Sequence, residues 1–183
     1  MIQNIEKEYK VLLTEFQYQQ LVSLLSPNQP VKQTNYYYDT VDHQIQNKKG
    51  AMRIREKDGK YIFTLKIRKS DDSLFEYEKI VQANDPSVFF DNDIIQLLNK
   101  YGLSGPFQQI GYMTTYRSLC IRENAEICLD RNIYKNKTDY EIEYEYKKEH
   151  DGLSIFEAIL HKVGLHYEKN CASKIARALH DEG

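Results

Sequence analysis

The stretch "AMRIREKDGKYIFTLKIR", Ala51 to Arg68, alternates with period two on either side of Asp58-Gly59. In an extended chain successive side chains point to opposite faces, so Arg53 and Arg55 share one face while Met52 and Ile54 share the other. The same rule puts Lys66 and Arg68 opposite Phe63, Leu65 and Ile67. Asp-Gly between two such runs is a strong hairpin signal. The segment therefore reads as two strands, Ala51 to Lys57 and Tyr61 to Arg68, with apolar residues on one face and cations on the other.

The same alternation recurs on both sides of this segment. Strands are expected near Leu74 to Ile80, in "QTNYYYD" (Gln33 to Asp39), and through "IEKEYK" (Ile5 to Lys10) with an end near Leu13. Further strands are expected near Tyr112 to Arg122, Ala125 to Tyr134 and Asp139 to Tyr146, separated by short turns. Thr14 and Gln17 form a capping-box signature for a helix in "FQYQQLVSLL", closed by Pro27 and Pro30. "HQIQNKKG" reads as a loop, and "NDPSVFFDNDIIQLLNKYG" as helical with a glycine stop. Ser154 and Glu157 suggest a capping box for "SIFEAILHKVGL", and Ala172 to His180 a final helix. Eight strands and four helical regions, with short hairpins and no linker or repeat, predict one α+β domain over residues 1–183. Eight antiparallel strands are enough to close a barrel.

Gross composition narrows the function. A net charge of -2 with 28% charged residues excludes a strongly basic nucleic-acid binder, so any anion site must come from local clustering. No apolar run approaches the roughly 20 residues of a membrane helix, and no signal peptide is visible. Cys120, Cys128 and Cys171, an odd number with no CxxC pair, argue against a disulfide framework or a structural zinc site and for a reducing cytoplasm. The sequon at Asn136 then reads as accidental. The expected partner is a small molecule rather than nucleic acid or membrane, with homodimerisation left open.

The polar faces are almost wholly ionic. Glu6, Glu8 and Lys10 share one face, as do Glu76 and Glu78, and Glu141, Glu143 and Glu145. A half-exposed sheet with its charges in water explains any one strand. Surface strands usually mix Thr, Ser, Gln and Lys, and here the whole set is Glu, Arg and Lys. If the apolar faces pack outward on helices, the charged faces line a hydrated barrel interior, because unpaired buried charges cost several kcal/mol each. Arginine forks and lysine ammonium groups around one space suit a polyanion with many phosphate oxygens. Clustered carboxylates suit a hard divalent cation such as Mg²⁺ or Mn²⁺.

These residues carry a resemblance to the CYTH-domain family of the triphosphate tunnel metalloenzyme superfamily. Glu6-Lys7-Glu8-Tyr9-Lys10 fits the family's ExExK signature; "YYDT" (Tyr37 to Thr40), "RIR" (Arg53 to Arg55), "TLK" ending at Lys66, "CLD" ending at Asp130, "EIEYEY" from Glu141 and "SK" (Ser173, Lys174) follow in order. The resemblance covers essentially the whole chain. It implies an eight-stranded antiparallel closed β-barrel around a triphosphate tunnel, with helices outside, and hydrolysis or cyclisation of triphosphates with Mg²⁺ or Mn²⁺. By that similarity Glu6, Glu8, Glu141 and Glu143 hold metal with help from Asp130, and Glu145 extends the acidic row. Lys10, Arg53, Arg55, Lys66, Arg117 and Lys174 meet phosphate, with Arg68 beside Lys66 and Arg122 competing with Arg117. Glu6, Glu8 and Lys10 are the implied catalytic group.

The expected activity is a metal-dependent triphosphatase, with inorganic tripolyphosphate favoured by the small size of the chain. The alternatives are a thiamine triphosphatase, an adenylyl cyclase, which would need an adenine pocket that no motif marks, and a non-catalytic polyphosphate or nucleotide binder, against which the acidic rows count. His161 and His166 lack metal-ligand spacing and read as structural or solvated, the tyrosines of "NYYYD" as strand and core residues, and Cys128 as a buried thiol. Asp39 and Thr40 are candidates for supporting the tunnel rim.

Overall fold

A computed structural model describes residues 1–180; the last three residues of the expected domain lie outside them. Eight strands form a closed antiparallel barrel: β1 (Ile2–Leu13), β2 (Val31–Asp39), β3 (Ala51–Lys57), β4 (Lys60–Arg68), β5 (Ser73–Val81), β6 (Gln108–Ile121), β7 (Ala125–Tyr134) and β8 (Lys137–Tyr146). Around the barrel the order is β1-β5-β4-β3-β2-β6-β7-β8. Among the described residues there are five α-helices, α1 (Glu15–Leu25), α2 (Gln44–Asn47), α3 (Asn92–Lys100), α4 (Gly152–His161) and α5 (Lys174–Leu179). None is long and apolar enough to cross a membrane.

The chain divides into two compact units. One contains Met1–Ile5, Gln33–Met113 and the chain from Lys174 onward; the other contains Glu6–Lys32 and Thr114–Ser173. In the first, the apolar faces of β3, β4 and β5 supply Met52, Ile54, Phe63, Leu65, Ile67 and Tyr77 to a core. Ile45 of α2 and Ile94, Leu97 and Leu98 of α3 close over it, joined by Phe89 from a 3-10 helix, Pro86–Phe90. In the second, Ile127 and Leu129 of β7 and Ile142 and Tyr144 of β8 pack with Leu21 of α1 and Phe156, Ile159 and Leu160 of α4. Alternation thus assigns one face of each strand to helices and leaves the charged face opposite. Ile5 is an exception, exposed where the alternation places it with the apolar set.

Local chemistry sets the boundaries. Asp58 and Gly59 both adopt positive φ, 51° and 70°, as the two-residue turn between β3 and β4 requires. Thr14 and Gln17 complete the capping box of α1, with Thr14 Oγ1 accepting from the Gln17 amide at 3.2 Å and Gln17 Oε1 accepting from the Thr14 amide at 2.9 Å. Three expectations are corrected. "HQIQNKKG" holds the short helix α2, because the Asp39 carboxylate accepts from the amides of Ile45 and Gln46 and Thr40 Oγ1 accepts from that of Gln44. The helical region after Asn84 breaks at Asp91, which turns extended and caps α3 through its carboxylate. Helix α4 starts two residues before Ser154: Asp151 is its N-cap and accepts from the Ser154 amide and hydroxyl, while Glu157 reaches forward instead of back.

Candidate active site

In the second unit the pairing of β1, β8, β7 and β6 stacks the ionic rows in register. Glu8 lies opposite Glu145 and Lys10 opposite Glu143 between β1 and β8. Across the β7–β8 ladder Cys128 meets Glu143 and Asp130 meets Glu141, and across β6–β7 Arg117 meets Asp130. Three carboxylates, Asp130, Glu141 and Glu143, consequently bring ligand atoms within 4.8 Å of one another, all buried. Arg117 binds Asp130 through two parallel bonds, Nε to Oδ1 at 2.8 Å and an Nη to Oδ2 at 2.7 Å, and the same Nη also donates to Glu143. This fork geometry is the strong form of an arginine–carboxylate bond.

Lys10 donates to Glu8 Oε1 at 2.7 Å. Burial works against its ammonium, yet the attraction of Glu8, Glu143 and Glu141 outweighs that cost and holds its pKa above the ordinary value. Burial likewise opposes the charge of Arg117, and Asp130 and Glu143 keep it firmly protonated. Glu145 differs from its two row-mates. It accepts from Lys147 at 2.8 Å, and burial, with Glu6 and Glu8 nearby, raises its pKa against that contact. The Cys128 thiol is buried and pushed up by desolvation, so it stays neutral.

The main-chain frame around Lys10 is fixed from outside the strand. Asn170 Oδ1 accepts from the Lys10 amide at 2.9 Å while Asn170 Nδ2 donates to the Glu8 carbonyl at 3.1 Å. The Cys171 amide donates to the Lys10 carbonyl at 3.1 Å.

The first unit carries the cations. Arg53 and Arg55 on β3 stand opposite Tyr37 and Asn35 of β2, and Arg55 Nε donates to Asn35 Oδ1 at 2.9 Å. Lys66 on β4 pairs with Glu76 of β5 at 3.4 Å. Burial disfavours the Glu76 carboxylate, but Lys66, Arg53 and Arg55 bring its pKa below the ordinary value. Tyr37 is fully buried and its hydroxyl has no hydrogen-bond partner among the described residues. Burial raises its pKa, and Arg53, Lys174, Arg55 and Lys66 each pull it down, which places four cations about one phenol oxygen.

Two candidate cations lie apart from these groups. Arg122 follows the end of β6, is exposed and donates to the Ile121 carbonyl, whereas Arg117 sits within the acidic cluster. Arg68 is exposed and donates to the carbonyls of Ser70 and Asp71 in the loop after β4. Tyr37 and Glu76 are the residues that sequence reasoning left out of the site. The signal for Tyr37 was its parity: Asn35, Tyr37 and Asp39 fall on one face of β2, and Tyr36 and Tyr38 on the other. Asp39 and Thr40 serve as caps for α2.

Residues 4–179 match the model of the CYTH domain family. YjbK of Bacillus subtilis (strain 168), designated a candidate triphosphatase, is 32% identical over 182 residues, covering 97% of this chain and 95% of its own. A crystal structure from Bacillus halodurans, described as a candidate adenylate cyclase, superposes with a TM-score of 0.85 at 27% identity, covering 97% of this chain and 98% of that one. HpAC1 from Hippeastrum, described as a candidate adenylyl cyclase with a dominant triphosphatase activity, gives 0.73 at 25% identity, with 94% and 93% covered. With the family pattern running from β1 through α5, this chain belongs to the CYTH domain family.

Proposed function

We propose that this protein is a divalent-metal-dependent triphosphatase, a phosphoric anhydride hydrolase acting on small triphosphates and preferring inorganic tripolyphosphate. The observation that carries this reading is the buried convergence of Asp130, Glu141 and Glu143 around the Arg117 fork. Three buried carboxylates whose ligand atoms converge within 4.8 Å of one another form an arrangement that a bound cation stabilises. The donors are all carboxylate oxygens, a set that fits Mg²⁺ or Mn²⁺. When bound, such an ion polarises phosphoryl oxygens and lowers the pKa of water.

The chain's own residues then divide the work. Asp130, Glu141 and Glu143 hold the metal, with Glu6, Glu8 and Glu145 extending the acidic row. Lys10 remains protonated through its carboxylate neighbours and donates to phosphate. Arg53, Arg55, Lys66 and Lys174 take phosphate oxygens; Asn35 aims Arg55 and Glu76 aims Lys66, so these cations are positioned before substrate arrives. Positive charge fixed in this way stabilises the negative charge that builds on the leaving phosphate. Glu6 and Glu8 accept the proton of the attacking water. Two designations among the relatives name a triphosphatase, which supports hydrolysis over cyclisation. The cations Arg53, Arg55, Lys66 and Lys174 suit the phosphate oxygens that tripolyphosphate consists of, which is the ground for preferring it. The cytoplasm is the compartment we assign.

Product analysis tests the reading. Tripolyphosphate, ATP and thiamine triphosphate are each incubated with Mg²⁺, Mn²⁺ or chelator, using wild type, Glu6→Gln and Glu141→Gln. Metal-dependent phosphate release, lost in both variants and fastest on tripolyphosphate, is expected. Cyclic nucleotide from ATP would instead establish a cyclase, and tight tripolyphosphate binding without turnover a binding module.

A further inference from the structure

Helix α4 ends in a second cluster of metal-ligating groups, remote in chemistry from the carboxylate site because it is built on imidazole. Glu157 and His161 are four residues apart and share one face of α4. Past the helix, Gly164 at φ 73° turns the chain, and the Leu165 amide donates to the Leu160 carbonyl at 3.0 Å. That turn returns His166 to the same carboxylate: His161 Nε2 lies 3.2 Å and His166 Nδ1 3.0 Å from Glu157 Oε2. The two rings are nearly parallel, with centroids 6.2 Å apart, and both histidines are largely exposed. Sequence spacing alone hid the group, since the third member comes from beyond the helix.

We infer that Glu157, His161 and His166 form a binding site for a borderline transition-metal cation, Zn²⁺ in the first instance. Two imidazole nitrogens and a carboxylate are a zinc donor set, and they disfavour magnesium, which prefers oxygen alone. Zinc bonds of about 2.0–2.1 Å in a tetrahedron put adjacent donors roughly 3.3 Å apart. Two of the three donor separations, 3.2 and 3.0 Å, lie close to such edges, and all three donors lie within 4.8 Å of one another. The fourth position opens to water. Glu157 is oriented for the task by its other oxygen, which accepts from the Tyr167 amide at 3.0 Å, an outer contact of the kind that fixes metal ligands.

Occupancy has a consequence for the segment that follows. Tyr167 packs edge-on against Tyr9 of β1 at 5.0 Å and donates to Asn170, the residue that holds the main chain of Glu8 and Lys10. Zinc joining α4 to His166 therefore braces the 166–170 stretch against the strand that carries ExExK.

The test uses the full chain in excess Mg²⁺, which occupies hard carboxylate sites and leaves imidazole sites free. Zn²⁺ is titrated against a chromophoric chelator, and Co²⁺ is used as a spectroscopic probe, for wild type and the His161→Ala/His166→Ala double variant; both positions are exposed, so the variant folds. Wild type is expected to take up one zinc equivalent that the variant lacks, to show the intense visible bands of tetrahedral Co²⁺ that the variant lacks, and to gain thermal stability with zinc where the variant does not. Equal zinc stoichiometry and equal cobalt spectra in the two proteins would overturn the site, as would wild type that retains no zinc. The Glu141→Gln protein is expected to keep the zinc equivalent even where triphosphatase activity is lost, which separates this site from the proposed reaction.

Discussion

Arg117→Met isolates the electrostatic logic of the acidic cluster. The guanidinium makes two bonds to Asp130, which is wholly buried, and a third to Glu143, and methionine keeps much of the volume while removing all three. Deleting one partner of a buried ion pair costs about 3–5 kcal/mol, because the charge left behind is uncompensated. The Arg117 side chain is 21% exposed, so water screens part of the loss and the lower end, about 3 kcal/mol, applies. For a chain of 183 residues that corresponds to a fall in Tm of roughly 6–12 °C. The assay is thermal denaturation followed by circular dichroism in chelator and then in Mg²⁺ or Mn²⁺. In chelator the fall should be complete; with the divalent ion part of it should be recovered, since the cation offers Asp130, Glu141 and Glu143 the positive charge that Arg117 supplied. Arg122→Met, at an exposed position, should shift Tm by no more than about 2 °C. A variant Arg117→Met that melts in chelator with wild type would refute the claim that this fork compensates the buried carboxylates.

Three further outcomes follow from single side chains. Glu145 has a raised folded-state pKa, so its ionised form is disfavoured on folding above the ordinary carboxylate value; Glu145→Gln should stabilise the metal-free protein at pH 7, and the gain should fade as pH falls through the raised value toward about 4.5. Denaturant melts across that range check the sign, and destabilisation at pH 7 in chelator would contradict it. Tyr37→Phe removes a buried hydroxyl that has no hydrogen-bond partner among the described residues and should raise ligand-free stability by about 1 kcal/mol, measured by urea unfolding, while weakening tripolyphosphate binding if phosphate is the missing partner. Asp151→Ala removes the N-cap of α4 and should cost about 1 kcal/mol, more than Ser154→Ala, reversing the order that a Ser154 capping box predicts.

Period-two alternation made the strands legible: Ala51–Lys57 and Ala125–Tyr134 have the boundaries read from sequence, whereas β1 and β6 begin three and four residues before the expected Ile5 and Tyr112. It also sorted charged from apolar faces, because a one-residue slip would send Arg53 or Glu143 into a core of Leu and Phe. Helix ends were less legible. A capping signature names residue types, and at α4 both Asp151 and Ser154 qualify; the choice fell to Asp151 because Glu157 is engaged by Tyr167 and the histidines. The loop at Gln44–Asn47 became helical for a similar reason, since its cap, Asp39, lies back in β2 and outside any local pattern.

The choice within the acidic row shows what pairing adds to pattern. Glu141, Glu143 and Glu145 are equivalent by alternation, and only the neighbours across the ladder distinguish them. Glu141 stands opposite Asp130 and Glu143 opposite Cys128, close enough to Arg117 for its fork to reach both Asp130 and Glu143. Glu145 stands opposite Glu126 and beside Lys147, which bridges the two at 3.3 and 2.8 Å. One lysine therefore draws the last member of the row toward ordinary ion pairing, while the first two remain clustered with Asp130, whose partner Arg117 also reaches Glu143. If this division governs metal binding, Glu145→Gln should leave most of the Mg²⁺ or Mn²⁺ affinity intact and Glu141→Gln should remove it. Isothermal titration of the two variants decides the matter, and equal losses would mean that all three carboxylates share the ion.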